Sequence, residues 1–387
     1  MSTLKVGALQ GISASSDAIT LANDGTCTAN ITNNLSNRNL IINGAMQVAQ
    51  RGTSFTDPTG AAYTLDRFAM QNSSGTPAFN VTQDSDAPHG FNKSLKVACT
   101  TADASPAAGS ISRVYHYIEA QNMQGLAKGT SSAKACTLSF YVKTNKTGLY
   151  TVFVYDADNT RLMSGSYTVS NTDWNRYTIL IPGDTTGVLD NGNGQGFGIF
   201  FGLSLGSGRT SGSLQSSFGS YVQANEHAGN VNFADNTSNV WAITGVQLEV
   251  GSVATDFEHL SFADELRRCQ RYFHKSGDIG QPQEWFPGVA TYCQYGAVPA
   301  KCLDGDQDRA FYEGNFPVLM RDQPTIVFYP ARDGVANTAG NVSKYNSDTL
   351  VGLNTQPSSG CQRMIGYMAT DTTHPAFTFQ YTADAEL

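Results

Sequence analysis

The sequence predicts an all-β protein: a jelly-roll sandwich followed by a short connector helix and a smaller C-terminal β-sandwich. Three observations carry that expectation. Only 14% of the residues are charged and 38 are glycine, with abundant Ser, Thr and Asn, which favours short strands and tight turns over helical bundles. Short apolar runs recur between clusters of Gly, Asn, Asp, Ser and Pro. A single stretch, 261–273, has convincing helical spacing. A chain of 387 residues exceeds one ordinary core, so at least two domains are expected.

Residues 1–38 lack the means to form a core. Ala18-Ile-Thr-Leu21 and Cys27-Thr-Ala-Asn-Ile31 flank Asn-Asp-Gly-Thr, good hairpin-turn chemistry. A lone hairpin is marginal in water, so this segment is expected either to order against partner chains or a larger particle or to be a floppy tail. Residues 39–260 read as one sandwich, with strand runs from 67–70 through 240–250. In the closing run, Val240, Ala242, Thr244, Val246, Leu248 and Val250 alternate with Trp241, Ile243, Gly245, Gln247 and Glu249. Strict period two would turn the first, more apolar set to the core. The Gly/Ser-rich stretch 206–230 reads as a long exposed loop.

The connector, 261–274, places Phe262, Leu266, Cys269 and Phe273 on one helical stripe. Ser261 can cap it, with Asp264 as the acidic member of a capping box, and Arg267, Arg268 and Arg271 suit the C-terminal end. Residues 275–387 form the second β unit, with strands at 313–320, 325–329, 362–369 and 376–383. In the last of these, Phe377, Phe379 and Tyr381 alternate with Thr378, Gln380 and Thr382. No repeat of solenoid period occurs, which argues against a long β-helix.

Net charge is −8 without a dense basic run, so a nucleic-acid partner is disfavoured. No apolar run approaches the roughly 18 residues of a membrane span, and membrane insertion is not expected. The seven cysteines include no Cys-x-x-Cys, which fits free thiols better than disulfides or zinc, and no cofactor is expected. Asp304, Asp306 and Asp308 offer alternating carboxylates, a candidate calcium loop. Arg309 occupies the glycine position of an EF-hand and Asn315 its final glutamate position, so an acidic solvated loop is the plainer reading. Trp285 and Phe286, with Tyr345 on the 334–346 loop, are candidate recognition residues on loops carried by the scaffold, although aromatics buried between domains are the commoner case. Trp174 and Trp241 are expected in the core. His116 is read as an ordinary strand residue. No Gly-x-Ser-x-Gly elbow is present, and nothing marks a hydrolytic carboxylate pair.

Several strings together resemble bacteriophage tail-fibre and other virion structural proteins. They are Asn39-Leu-Ile-Ile-Asn-Gly-Ala-Met-Gln-Val-Ala-Gln-Arg-Gly52, Tyr63-Thr-Leu-Asp-Arg-Phe68, Thr244-Gly-Val-Gln-Leu-Glu-Val-Gly251, Ala254-Thr-Asp-Phe-Glu258 and Glu265-Leu-Arg-Arg-Cys-Gln-Arg-Tyr-Phe273. The ending Phe379 to Leu387 is similar to the terminal strand of many such fibres. Thr172-Asp-Trp-Asn-Arg-Tyr-Thr-Ile-Leu-Ile-Pro182 resembles a strand of jelly-roll carbohydrate-binding modules in which a Trp enters the core. The resemblance implies a non-enzymatic virion protein assembled in the host cytoplasm, most simply a homotrimeric tail fibre or receptor-binding fibre. Its N-terminal segment would contact other tail or capsid proteins, and host surface glycan would be a partner. A head-decoration or tail-adaptor protein is the alternative within that class, and a polysaccharide depolymerase the alternative outside it.

Overall fold

A computed structural model describes residues 6–10, 12, 19–21, 27–29, 36–73, 77–277, 298–302, 309–330, 338–341, 347–349, 363–369 and 376–387. Two antiparallel sheets form a sandwich. In spatial order the six-stranded sheet runs Asn175–Ile181, Cys136–Thr144, Val240–Val250, Ser94–Thr101, Ala78–Asp84 and Ser54–Thr56. The seven-stranded sheet runs Gly219–Ser220, Arg161–Val169, Gly148–Asp156, Gln195–Leu205, Ile111–Glu119, Phe68–Asn72 and Gly60–Tyr63. The chain passes back and forth between the sheets, from Ile111–Glu119 to Cys136–Thr144 to Gly148–Asp156, the jelly-roll arrangement. Between them lies one apolar core that includes Phe140, Phe201, Phe233 and Trp241.

The closing strand departs from strict alternation. Ser139 pairs with Gln247 but Tyr141 pairs with Thr244, so Gly245 and Val246 together face Phe140 across a bulge. Gly245 takes φ +61 there. The bulge switches faces: Trp241 and Ile243 enter the core before it, and Val246 and Leu248 after it. Gln247 and Glu249 therefore point to the outer face. They are buried nonetheless, because residues 251–260 fold back over them. Glu249 accepts from the Thr255 backbone N–H and hydroxyl at 2.7 Å each, and Gln247 Oε1 accepts from Glu258 N–H at 2.8 Å.

Two further expectations change. The 206–230 stretch is not simply exposed: Glu226, His227 and Ala228 are buried, and it carries the helical turn Ser207–Thr210 and the short strand Gly219–Ser220. Trp174 is not in the core. Tyr177, Ile179 and Ile181 point inward along Asn175–Ile181, which leaves even-numbered positions, Trp174 among them, on the outer side. Trp241 is fully buried.

The connector helix is Phe262–Gln270, with Ser261 accepting from the Asp264 N–H at 3.2 Å. Its stripe is only partly buried. Cys269 is covered, Leu266 is half-buried, and Phe262 is 55% exposed. Phe273 is buried as the first residue of a strand, Phe273–Lys275, rather than as part of the helix. In the C-terminal unit, strand Ala376–Asp384 is central. It pairs with Phe273–Lys275 and Val298–Cys302 along one edge, and with Thr325–Pro330 and Thr338–Asn341 along the other. Tyr381, Ala383 and Ala385 are buried, and Tyr381 packs edge-on against His274 and Phe316. Near the N-terminus, Ile19–Leu21 pairs with Cys27–Ala29 and with Ala8–Leu9; Leu9 and Leu21 are exposed.

Candidate recognition face and the junction beside it

The sequence-predicted residues Trp285, Phe286, Tyr345, Asp304, Asp306 and Asp308 lie outside the described residues. The aromatic face that the described residues present comes instead from the sandwich.

Alternation builds it. Along Ile111–Glu119, Val114 and Ile118 join the core, so Arg113, Tyr115, Tyr117 and Glu119 stand on the outer face of the seven-stranded sheet. The neighbouring strand sends Phe197, Ile199, Phe201 and Leu203 inward and Phe200 outward. The next sends Val152 and Val154 inward and Phe153 and Tyr155 outward. Register sets these side by side: Tyr115 opposite Phe200, and Phe200 opposite Phe153. Phe153 and Phe200 stack with ring centroids 4.4 Å apart, Tyr115 stacks on Phe200 at 5.5 Å, and Tyr117 meets Phe200 edge-on at 5.8 Å. Gly198 makes room, since a Cβ there would fall 2.5 Å from the Phe200 ring. Tyr115, Phe153 and Phe200 form a buried floor, and Tyr63, Tyr117, Tyr155 and Tyr221 stand half-buried around it.

One end of this face is closed by the 206–230 stretch. Arg113 lies over Phe200 at 4.3 Å and over Phe153 at 5.0 Å. Glu226 accepts from Arg113 at 3.0 Å, Arg209 at 2.5 Å and the Tyr221 hydroxyl at 2.5 Å. Burial and the Glu226 carboxylate push the Tyr221 phenol up to about 12. His227 Nδ1 meets the Thr151 hydroxyl at 2.8 Å.

The other end is a junction built from the strings singled out in the sequence. Glu119 accepts two hydrogen bonds of 2.8 Å from Arg271 and another from the Tyr272 hydroxyl. Burial opposes its ionisation, but these donors hold its carboxyl below the usual range. Arg67, fully buried, stacks 3.5 Å from the Tyr272 ring centroid and pairs with Glu386. Arg51 lies 3.7 Å from the Phe273 ring centroid and bridges Asp384 at 3.0 Å and Glu386 at 3.2 Å. Arg321 donates to Ala385 O at 2.7 Å and Glu386 O at 3.0 Å. The Tyr63 hydroxyl donates to Leu387 O at 2.9 Å.

The 39–52 string supports the same junction from behind. Asn39 Oδ1 accepts from the N–H groups of Ile41 and Leu248, and its amide donates to Val246 O. Asn43 N–H donates to Glu265 on the helix at 2.5 Å, and the Gln50 amide reaches Asp66 at 2.5 Å and Phe273 O at 2.8 Å. Gly44 is required by close approach: a Cβ there would sit 2.1 Å from Val246 O.

No sequence-family model matches this chain, and no curated protein matches it. Similar solved structures exist. One is the enzymatically active domain of tailspike protein 4 of bacteriophage CBA120, at 14% identity and TM-score 0.30, covering 55% of this chain and 21% of that chain. A putative sugar-binding protein from Bacteroides thetaiotaomicron matches at 11% identity and TM-score 0.31, covering 55% of this chain and 100% of its own. A family 11 carbohydrate-binding module from Clostridium thermocellum, in complex with a mixed-linked tetrasaccharide, matches at 12% identity and TM-score 0.27, over 54% and 98%. The match thus spans about one fifth of that solved tailspike domain's length.

Proposed function

We propose that this protein is a non-catalytic virion structural protein, a homotrimeric tail fibre or receptor-binding fibre, that holds host-surface glycan on the outer tyrosine face of its jelly roll. The observation that carries the reading is the set of half-buried rings Tyr63, Tyr117, Tyr155 and Tyr221 around a buried aromatic floor. A sugar ring presents C–H bonds on its faces and hydroxyls on its edge, so it stacks on tyrosine and exchanges hydrogen bonds with phenols. Multiple copies in a fibre would add weak contacts into useful avidity. The virion role rests on the resemblance of the junction strings, and the segment before residue 39 is its attachment to the particle. Loops bearing Trp285, Phe286 and Tyr345 are proposed as further contacts.

Non-catalytic binding is favoured over depolymerisation by how the two carboxylates bordering this face are held. Glu119 is paired with Arg271, and Glu226 with Arg113 and Arg209. A glycosidase needs one carboxyl kept protonated as an acid, whereas the Arg271 and Tyr272 donors hold the Glu119 carboxyl below the usual range, and the Glu226 oxygens are taken up by Arg113, Arg209 and Tyr221. The test is titration of host-surface polysaccharide against the full chain, with reducing ends assayed alongside. Saturable binding without release of reducing ends is expected. Tyr117→Ala with Tyr155→Ala should weaken it by about tenfold or more, the equivalent of about 1.4 kcal/mol, at unchanged oligomeric state. Release of reducing ends would return the depolymerase reading.

A further inference from the structure

The opposite sheet carries an aromatic and polar cluster that the tyrosine face does not explain. Trp174 is partly exposed, and its indole N–H donates to Asp86 Oδ1 at 3.0 Å. Lys143 Nζ donates to the other oxygen of the same carboxylate at 2.8 Å. Asp86 remains 53% exposed and Lys143 38% exposed in their side chains. Tyr141, two residues before Lys143 on the same face, is half-exposed with Arg176 above its ring at 6.0 Å. Phe91 continues the row, 5.4 Å from Tyr141.

Both loops that present the cluster are pinned. Asn171 Oδ1 accepts from Asp173 N–H at 3.0 Å and from the Asn175 amide at 2.7 Å, which fixes the turn before Trp174. Asp86 N–H donates to Asp84 at 2.8 Å, and Ser94 donates to Asp86 O at 2.6 Å. An exposed ion pair stabilises a fold by only about 0–1 kcal/mol, so stability alone gives weak reason for leaving part of a large indole in water. The arrangement supplies a flat ring, an anchored acceptor with lone pairs facing solvent, and an ammonium donor. Lys143 offsets Asp86 at 2.8 Å and Lys96 offsets Asp84 at 2.9 Å, which suits an uncharged ligand rich in hydroxyls.

We infer that Trp174, Asp86 and Lys143 form a second contact site, separate from the tyrosine face, that takes a neutral hexose ring. The indole stacks on the sugar, Asp86 accepts from its hydroxyls and Lys143 donates to them. Indole N–H spectra of the 15N-labelled full chain test this, because the chain has three tryptophans and Trp174→Phe identifies one signal. The probes are cellohexaose and maltohexaose, with an oligogalacturonate as the charged control. A neutral hexaose should shift the Trp174 signal saturably and leave that of the buried Trp241 in place, in the native chain and equally in the Tyr117→Ala, Tyr155→Ala variant. Asp86→Asn and Lys143→Met should each weaken the response several-fold at an unchanged melting temperature. The inference is overturned if neither neutral probe moves the Trp174 signal, or if only the charged control does. It is also overturned if the response disappears with the tyrosine pair, or if the Asp86 and Lys143 variants lower melting temperature while leaving the titration unchanged.

Discussion

Gly245 shows how one residue can carry two constraints. Its φ of +61 disfavours any Cβ, and a Cβ built there would lie 2.7 Å from the Phe91 ring and 2.9 Å from Tyr141. Gly245→Ala should therefore destabilise the fold by about 1–3 kcal/mol, read as a lower melting temperature; a change within about 0.5 kcal/mol would show that the bulge relaxes freely. The buried histidines carry a pH dependence. Burial first, then nearby arginines, hold His116 and His227 well below the ordinary imidazole range, so both are neutral in the folded chain. The unfolded chain takes up those protons as pH falls through about 6.5, so stability is lost below that point, at up to about 1.4 kcal/mol per pH unit for each histidine. Asp66, Glu265 and Glu386 are shifted upward, chiefly by burial, and act with the opposite sign. Comparison with His116→Gln cancels their share. Between about pH 7.5 and 5.5 the native chain should lose melting temperature more steeply than the variant, and equal slopes would refute this. The alternation that makes Val-Tyr-His-Tyr-Ile a strand was legible in the sequence. That its tyrosines are an aromatic face was not, because two-faced apolar strands do not say which side meets a second sheet.

At the scale of elements, the junction strings have a physical meaning. Asn39, Asn43 and Gln50 satisfy backbone groups of the closing strand, the 39–48 turn and the Phe273 strand, while Arg51 and Arg67 meet residues 384–386. Removing the buried guanidinium by Arg67→Met leaves Arg51, at 3.2 Å, as the remaining charged partner of the buried Glu386 side chain and should cost about 3 kcal/mol. Adding Glu386→Gln should recover part of that loss, and strict additivity in the double variant would deny the coupling. The helix was legible from its spacing and its Ser261 cap, but its buried face was not. The helix ends at Gln270 and the chain enters a strand at Phe273, so packing falls on Cys269, Tyr272 and Phe273 and leaves Phe262 outside. Phe262→Ser should accordingly change stability by no more than about 0.5 kcal/mol, whereas Tyr272→Ala should cost about 3–5 kcal/mol in the same melting series.

Across the whole molecule, the jelly roll and the C-terminal unit share one buried charged junction, and the tyrosine face opens between that junction and the 206–230 cover. The two-sheet architecture followed from strand spacing and turn chemistry alone. The bulge depended on pairing with a strand distant in sequence, and the cover over the closing strand's outer side on hydrogen bonds from residues 251–260 to its side chains, which no periodicity signals. The proposed attachment segment predicts that a chain starting at Asn39 folds with normal melting but fails to join the particle; normal incorporation would remove that role. The proposed function turns on glycan sitting on the outer tyrosine face. A crystal structure of the full chain with an oligosaccharide cut from the host surface tests it most directly. A sugar ring should stack against Tyr117 or Tyr155 between the Glu226 and Glu119 ends of the sheet. Sugar bound only at the loops bearing Trp285 and Tyr345, with nothing on the seven-stranded sheet, would contradict it.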